Sequence, residues 1–339
     1  MKWLCLTGLL LALLLLSGCS GGQEVEDCLF VISMAVDPAE GGSLTVTVKA
    51  LSGTQDAAAP QEASHQGEET GESGAGENTE PGYVVMSATA KSCLSALNLL
   101  AATTPRTVNL SQLQEIVLSS TLAQTDATLS ILKEIYALYE ANGGAVVVVT
   151  PGNAGDFIRR QYAMFGVRLS QYLQVLFDHF EQLGTIPPEA NLASVIAAME
   201  SGMRDAAAVY AAANDFSATL VLPDDSATDR LPGHLPRTSP AENEYLGSAL
   251  FSGARMTGVL TGEETGILCL MMGRAQRRTT FIGNAQYKTN FRTRVRRRIR
   301  EDGTLGVKID ISLTRIAGEE QTPAGEIARQ IETQCVNVL

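Results

Sequence analysis

The distribution of apolar and polar residues over the first hundred positions predicts alternating strands and helices. Residues 28–36 form a continuous apolar run that ends at an Asp-Pro turn, which indicates a buried strand. Residues 43–51 alternate apolar and polar side chains, as a half-buried antiparallel strand does. Residues 83–86 resume strand character, and apolar side chains then recur every three or four positions over 89–102. That spacing predicts an amphipathic helix.

Residues 113–150 carry the pattern of a βαβ unit. Two apolar runs of strand length, 113–119 and 145–150, enclose a segment, 126–140, whose apolar residues fall on one helical face. Short connections between strand, helix and strand give a parallel pair with a right-handed crossover. The sequence therefore predicts an α/β layered domain in this part of the chain.

Residues 156–210 are predicted to be helical, with breaks near Gly184 and at Pro187-Pro188. His179 is interpreted as a partly buried structural histidine, because no second ligand lies near it in the sequence. Residues 215–234 are interpreted as a connection. Large apolar side chains at helical spacing favour an interhelical core over a cofactor site. They are Phe157, Ile158, Tyr162, Phe165, Leu169, Tyr172, Leu173, Leu176, Phe177 and Phe180.

An antiparallel hairpin is predicted near the carboxyl end. Arginines alternate with other residues over 291–300, a tight turn is indicated at 301–304, and apolar residues alternate over 305–313. One hypothesis is that the arginines contact anionic lipid headgroups or an acidic partner, each charge contributing about 1 kcal/mol near such a surface. The alternative, which we favour, is a solvated strand whose arginines deter edge pairing. The arginines concerned are Arg292, Arg294, Arg296 and Arg298.

The fold class predicted from these elements is α/β (mixed α+β). Layered sheet-and-helix domains are expected to include the βαβ unit and a C-terminal antiparallel hairpin packed with helices. Four regions follow along the chain: a signal peptide at 1–18, an N-terminal α/β domain at 19–152, a mainly helical middle region and linker at 153–242, and a C-terminal α/β domain at 243–339.

The first twenty residues predict export and lipid modification. Lys2 precedes an unbroken apolar run over 9–16, which is too short to span a bilayer. Leu16-Ser17-Gly18-Cys19 fits a bacterial lipobox, in which cleavage before Cys19 leaves a thiol that carries a diacylglycerol. The alternative is an ordinary secretory signal with an incidental cysteine. We predict that the mature chain is held at a membrane through Cys19.

The net charge of −12 is concentrated in one segment. Residues 53–82 contain seven acidic side chains and no Lys or Arg, so they supply more than half of the net charge. Gly, Glu, Ala and Ser dominate this segment, which is predicted to be a disordered acidic insertion between neighbouring strands. The negative net charge therefore comes mainly from a solvated segment and not from a binding face, and nothing in the sequence indicates nucleic-acid binding.

Few residues carry a pattern typical of catalysis or ligand binding. The loop 150–153 follows a predicted parallel strand, where α/β sheets often bind small molecules, but a plain exit turn is favoured because no GxGxxG or GKS/T accompanies it. Glu263 and Glu264 would point to opposite faces of a strand, so a solvated turn between two apolar segments is favoured over acid–base catalysis.

The cysteines likewise indicate no metal or redox site. Cys28, Cys93, Cys269 and Cys335 form no CxxC pair, so buried thiols are expected, with a disulfide between distant pairs as the alternative. No GxSxG, HExxH or Cys/His arrangement is present, which disfavours an envelope hydrolase. We assign no catalytic, cofactor-binding or metal-binding residue, and Cys19 is the one predicted modification site.

The segment 256–266, Met-Thr-Gly-Val-Leu followed by Glu-Glu-Thr-Gly, resembles the opening of the C-terminal domain of spore-germination receptor C subunits, the Ger(x)C lipoproteins. Other features agree in order: the lipobox, the apolar strand ending in Asp37, the helix from Thr89, the segment 109–119, and the AVVVVT strand followed by Phe157-Ile158. Two features differ. Ser20-Gly21-Gly22 stands where these proteins usually carry a tryptophan, and they usually continue beyond the equivalent of Val338. The second difference leaves two alternatives, a chain cut short in its last domain or a divergent branch of the family.

The resemblance implies a lipid-anchored location on the outer face of the spore inner membrane, with an A-type and a B-type membrane subunit as partners. It implies no catalytic residue and no cofactor. We therefore expect a non-enzymatic, palmitate-bearing subunit of a nutrient germinant receptor complex that acts in spore germination. The alternative is a lipoprotein that captures a small ligand in an α/β cleft for a membrane transporter.

Overall fold

A computed structural model describes residues 27–51, 82–138, 141–202, 204–214 and 230–274 except 236, 238 and 240. Shorter stretches are described further on, at 279–282, 285–289, 294–299, 303, 305–310, 313–317 and 329–333. The predicted signal, Cys19, Arg292 and Cys335 lie outside the described residues, as do almost all of the predicted insertion 53–82 and most of the predicted connection 215–234.

Nine strands in the described part of the chain form one mixed sheet in the order β3-β2-β1-β5-β6-β7-β8-β9, and β4 pairs with the beginning of β1. Strands β1, β5, β6 and β7 are parallel, and an antiparallel pair flanks them on each side. The strands are β1 (Cys28–Ala39), β2 (Ser43–Leu51), β3 (Tyr83–Ala90), β4 (Thr107–Asn109), β5 (Glu115–Ser119), β6 (Val146–Thr150), β7 (Ala206–Ala213), β8 (Asn243–Ser252) and β9 (Arg255–Leu260).

Helices cover both faces of this sheet. They are α1 (Cys93–Ala101), α2 (Ser120–Ala123), α3 (Ala127–Ala137), α4 (Ala154–Arg159), α5 (Leu169–Leu183), α6 (Leu192–Ser201) and α7 (Gly262–Met272). Helices α1, α2, α3 and α6 share one hydrophobic core with the sheet, and α4 and α5 share a second core with its other face. The mixed α+β fold predicted from the sequence is therefore confirmed.

The central strands are apolar along their whole length because helices bury both of their faces. In β1 the side chains of Met34 and Ala35 point to opposite cores, and both are fully buried. The predicted βαβ unit is confirmed, since β5 and β6 are parallel neighbours joined through α2 and α3. Gly247 in β8 has a φ of 98°, and a Cβ there would lie 2.2 Å from the carbonyl oxygen of Leu260. Position 247 therefore requires glycine, because the main chain at the end of β9 lies too close to it for a Cβ.

The carboxyl-terminal strands form two small sheets. Strands β10 (Thr279–Ile282), β11 (Ala285–Thr289) and β14 (Leu313–Ala317) make one sheet, and β12 (Arg294–Ile299) and β13 (Leu305–Asp310) make the other. The antiparallel pairing of β12 with β13 confirms the predicted hairpin. Arg294, Arg296 and Arg298 are exposed, and Arg296 lies 3.3 Å from Asp310.

Three elements differ from their predictions. The helix expected from residue 89 begins at Cys93, because Thr89 and Ala90 still pair with β2 and Ser92 then caps the helix. Residues 206–210 are not helical but lie in β7, between β6 and β8. The turn expected at Glu263 and Glu264 is the first turn of α7.

The first turn of α7 closes through a capping box. The side chain of Thr261 accepts the N–H of Glu264 at 3.2 Å, and the Glu264 carboxylate accepts the N–H of Thr261 at 2.8 Å. The two adjacent glutamates thus begin a helix, and Glu264 has a structural role. The predicted domain boundaries at residues 152 and 242 fall within the chain that builds the large sheet, and they remain a prediction.

Candidate functional site

Five polar side chains meet between the sheet and the α4/α5 layer. Ser33, Lys49, Glu115, Gln161 and Tyr245 are each at most 5% exposed, and we call them the internal polar cluster. Ser33 lies in β1, Lys49 in β2, Glu115 in β5 and Tyr245 in β8, and Gln161 is the second residue after α4. The fold therefore brings together groups that lie far apart in the sequence.

Glu115 is at the centre of the internal polar cluster. Its carboxylate accepts hydrogen bonds from Ser33 Oγ at 2.9 Å, from Tyr245 Oη at 3.2 Å and from the Gln161 side-chain amide. The phenol ring of Tyr245 is packed edge-on against Phe157 of α4. These bonds tie the end of α4 to strands β1, β5 and β8.

The charges of the cluster are enclosed. Lys49 Nζ donates to the carbonyl oxygen of Gln161 at 2.5 Å and lies 5.6 Å from the centre of the Tyr83 ring. Burial raises the pKa of Glu115 above its ordinary value, although its hydrogen bonds and the charge of Lys49 act in the opposite direction. Burial and the neighbouring Glu115 raise the pKa of Tyr245 well above its ordinary value. Glu115 and Lys49 therefore link secondary structure elements, and because each is at most 1% exposed they are inaccessible to a substrate.

The loop 150–153, one of the two alternatives for a ligand site, leads directly into α4. Asn153 caps the helix by accepting the N–H of Asp156 at 2.8 Å. The carboxylate of Asp37, near the end of β1, accepts the first two main-chain N–H groups of α4, that of Ala154 at 2.8 Å and that of Gly155 at 2.9 Å. The donors that could bind an anionic ligand at this turn are therefore occupied by the protein itself, which favours the exit-turn interpretation.

A second buried carboxylate fixes the chain before β8. Glu244 accepts from Arg237 Nε at 2.7 Å, from Asn214 Nδ2 at 2.6 Å and from the N–H of Gly233 at 2.6 Å. Its side chain is 1% exposed, whereas that of Arg237 is 29% exposed. No pattern in the sequence distinguishes Glu244, whose role is to attach Gly233 and Arg237 to the sheet.

One shallow cleft lies beside α5. It has a volume of about 260 Å³ and is open to solvent. Its lining is mainly polar and comprises Gln114, Asn142, Gly144, Val146, Gln174, Phe177 and Asp178. Amide and carboxylate groups here could hydrogen-bond a small polar molecule.

The predicted burial of the thiols is confirmed for Cys28, Cys93 and Cys269. Burial, and to a smaller extent Glu134, raises the pKa of Cys93 to about 12. Such a thiol is a poor nucleophile at neutral pH. Among the described residues, no three His, Cys, Asp or Glu side chains are grouped so that they could hold a metal ion. Within the same ranges, no helix is both long and apolar enough to cross a membrane.

The row of large apolar residues at 157–180 does not form a continuous core. Residues such as Leu173 and Phe177 are buried as predicted, but Tyr162 is 46% exposed and Phe165 is 86% exposed. His179 is exposed, so its interpretation as a partly buried residue is wrong. Tyr162 and Phe165 are exposed because residues 160–168, which we call the Phe165 loop, connect α4 to α5 without helical structure. His179 lies within α5, away from the face that buries Leu169, Leu173 and Phe177.

The fold is mixed α+β, and three buried carboxylates, Asp37, Glu115 and Glu244, accept hydrogen bonds from the protein itself. Residues 21–212 match the family model described as the spore germination protein N-terminal domain. This match covers more than half of the chain, so the chain belongs to that family, as the resemblance to Ger(x)C proteins predicted.

The comparison with solved structures gives a match to the crystal structure of the GerBC protein. It covers 90% of this chain and 80% of that chain, with 13% sequence identity and a TM-score of 0.43. No curated protein sequence matches the chain.

Proposed function

We propose that this chain is a non-enzymatic, lipid-anchored subunit of a nutrient germinant receptor complex that acts in spore germination. The observation that carries the proposal is the family match, which begins at residue 21, directly after the predicted lipobox ending in Cys19. A family domain that starts at an acylated cysteine would lie at the surface of a membrane. The receptor subunits that cross the membrane would then be other chains.

The proposed location is the outer face of the spore inner membrane, and the proposed partners are an A-type and a B-type membrane subunit. The thiol of Cys19 would carry the diacylglycerol, and a further acyl chain, such as palmitate, would be on its amine. Two or three acyl chains hold a soluble domain far more firmly than one, because each buried CH₂ contributes about 0.8 kcal/mol.

A non-enzymatic role is supported by the positions of three buried carboxylates among the described residues. Glu115 and Glu244 are buried and accept hydrogen bonds from the protein, and Asp37 caps a helix. General acid–base catalysis needs such groups within hydrogen-bond reach of a substrate. Their enclosure therefore favours a role in which binding, and not chemistry, transmits the signal.

The arginines of β12 are a proposed second contact with anionic lipid. Arg294, Arg296 and Arg298 are exposed, as this contact needs, and Arg292 precedes them in the sequence. Replacing Arg294 and Arg298 with Gln should weaken sedimentation with anionic vesicles and leave that with neutral vesicles unchanged. Unchanged sedimentation of the variant with anionic vesicles would favour the solvated-strand alternative.

Spores test the proposal directly. Spores that lack this chain should lose the response to one class of nutrient, and the wild-type chain should restore it. The Cys19→Ala chain should incorporate no labelled palmitate and should restore the response poorly. Full restoration by a chain free of acyl groups would contradict the proposal of a lipid-anchored subunit.

The alternative function is ligand capture for a transporter, and the cleft beside α5 is the observation that favours it. Adjacent genes for two polytopic membrane proteins support the receptor, whereas adjacent genes for an ATPase and permeases support the transporter. Tight binding of one small molecule to the purified chain, lost in Gln174→Ala and Asp178→Ala, would favour the alternative.

A further inference from the structure

The Phe165 loop presents an apolar tip to solvent. Phe165 is 86% exposed, Tyr162 is 46% exposed and Val167 is 37% exposed. Phe165 has a φ of 67° and is followed by Gly166 with a φ of 65°. The left-handed region is sterically disfavoured for a bulky residue, and such strain is concentrated at functional sites. The loop thus keeps a large aromatic ring outside the core at a conformational cost.

The far end of the loop is fixed near the end of the sheet at which β1 begins. The N–H of Leu169 donates to Tyr83 Oη at 2.6 Å, and Tyr83 is opposite Leu51 in the register of β2 and β3. The preceding residue, Ala50, pairs with Val31, close to the start of β1. The near end of the loop is held by Gln161 of the internal polar cluster.

The same end of the sheet receives the chain from the predicted acylation site. Residues 20–27 join Cys19 to β1, and a chain of this length spans up to about 28 Å when it is extended, at about 3.5 Å per residue. An acylated Cys19 would therefore hold this end of the sheet within reach of the membrane surface. The Phe165 loop is attached to the same end of the sheet through the hydrogen bond between Leu169 and Tyr83.

The charge around the loop also suits a membrane surface. Arg159 and Arg160 at the base of the loop form ion pairs with Asp156 at 3.0 Å and with Glu242 at 3.6 Å, whereas Arg168, next to the tip, is exposed. A loop with aromatic residues at its tip and arginines at its base matches the bilayer interface, where rings lie at headgroup depth and cations contact phosphates. Residues 53–82, which carry seven acidic side chains, follow β2 in the sequence at this end of the sheet, so the contact depends mainly on the apolar tip.

We infer that the Phe165 loop inserts its aromatic tip into the lipid bilayer to which the chain is anchored, and so sets the orientation of the domain on the membrane. This inference rests on the proposed function for the lipid anchor. The contact is with lipid and needs no partner protein. It predicts that insertion occurs in vesicles that contain lipid alone.

The test uses fluorescence of a single tryptophan in the whole mature chain. The sole tryptophan of the sequence, Trp3, lies in the predicted signal, so a chain processed before Cys19 contains none. Phe165→Trp then reports the loop, and Tyr136→Trp is the matched control, since Tyr136 is 50% exposed on α3 at the opposite face of the sheet. Each chain is placed in phosphatidylcholine vesicles, with and without phosphatidylglycerol, and in vesicles of brominated phosphatidylcholine.

The expected result is a blue shift and strong quenching by brominated lipid for Phe165→Trp, and neither effect for Tyr136→Trp. Phosphatidylglycerol should strengthen the effect. Absence of quenching at residue 165 in a chain whose acylation is shown by mass spectrometry overturns the inference and leaves the anchor intact. The anchor is tested separately, because it is refuted if mass spectrometry finds no acyl group on the chain isolated from spores. Quenching at residue 165 in a chain without acyl groups supports the inference, and its absence there overturns the inference.

A second variant separates membrane contact from folding. Phe165→Gly removes the ring and suits the left-handed backbone, so its melting temperature should not fall. Vesicle binding of the chain without acyl groups should weaken about tenfold, which is the effect expected for losing one buried aromatic side chain. Unchanged vesicle binding would contradict the inference.

Discussion

Asp37→Asn is the substitution whose effect can be worked out most fully from the structure. Asp37 is 4% exposed, and each of its carboxylate oxygens accepts one main-chain N–H at the start of α4. An asparagine keeps one acceptor oxygen but turns an amide donor toward the other N–H. The substitution therefore leaves the size of the side chain unchanged and removes one of the two contacts.

The expected loss follows from these two bonds. A hydrogen bond to a charged group contributes about 1.5–3 kcal/mol, a neutral one contributes about 1 kcal/mol, and a buried donor left unpaired costs about 1–3 kcal/mol. Weakening one bond at Ala154 or Gly155 and losing the other gives a loss of about 2–4 kcal/mol in the free energy of unfolding. That is a large part of the 5–15 kcal/mol or so by which a native protein is stable.

The assay is urea unfolding of the mature chain at neutral pH, followed by circular dichroism. The matched control is Asp156→Asn in the same helix, where the carboxylate is 65% exposed and lies 3.0 Å from Arg159. The control should lose less than about 1 kcal/mol, because exposed ion pairs contribute little. Equal losses for the two variants would refute the view that Asp37 holds α4 on the sheet.

Three further substitutions test other contacts. Gly247→Ala places a Cβ 2.2 Å from the last carbonyl oxygen of β9, and thermal unfolding should show a loss of about 3–5 kcal/mol in the free energy of unfolding. Its control, Gly253→Ala, has no atom within 4 Å of the new Cβ and should lose about 1 kcal/mol. The pKa of Glu115 is raised in the folded chain, so the free energy of unfolding should increase as the pH falls from neutral through that pKa. The increase should level off below the ordinary pKa of a glutamate, about 4.3. Glu115→Gln should lose this pH dependence. Glu244→Gln should cost about 3 kcal/mol in urea unfolding, and the more exposed Glu242→Gln less than about 1 kcal/mol.

The strands with strong local patterns were predictable. The unbroken apolar run of β1 and the alternation of β2 are enough to identify them, because their side chains follow the period of a strand. Residues 206–210 of strand β7, whose sequence is AAAVYAAA, were predicted to be helical, and alanine has the highest helix propensity of all residues. The place of β7 between β6 and β8 overrides that preference, since small side chains there fit beneath the helices on both faces.

Helix α7 shows a signal that was present in the sequence and missed. Thr261 followed three residues later by Glu264 is the signature of a capping box. The segment after it is buried on most sides, so it lacks the polar face by which a helix is usually recognised. The resemblance of 256–266 to Ger(x)C proteins therefore identified the family but not the local structure.

The internal polar cluster could be predicted only in part. Glu115 stands alone in an apolar run, which indicates a buried charge that needs partners. Lys49 was placed on the polar side of a half-buried strand, but α4 covers that side too. The pairing of these residues arises from the order of strands in the sheet, which one sequence does not contain. In the Phe165 loop, Gly166 is the local signal that the helical period had ended.

The central claim is that this chain works as a lipid-anchored subunit in a receptor with two polytopic membrane subunits. Purification of the tagged chain from detergent-solubilised spore membranes, followed by mass spectrometry of all recovered proteins, tests it most directly. We predict recovery of an acylated Cys19 peptide together with an A-type and a B-type subunit, and loss of both subunits in a Cys19→Ala strain. Recovery of the acylated chain with an ATPase and permeases, or without any polytopic protein, would contradict the claim.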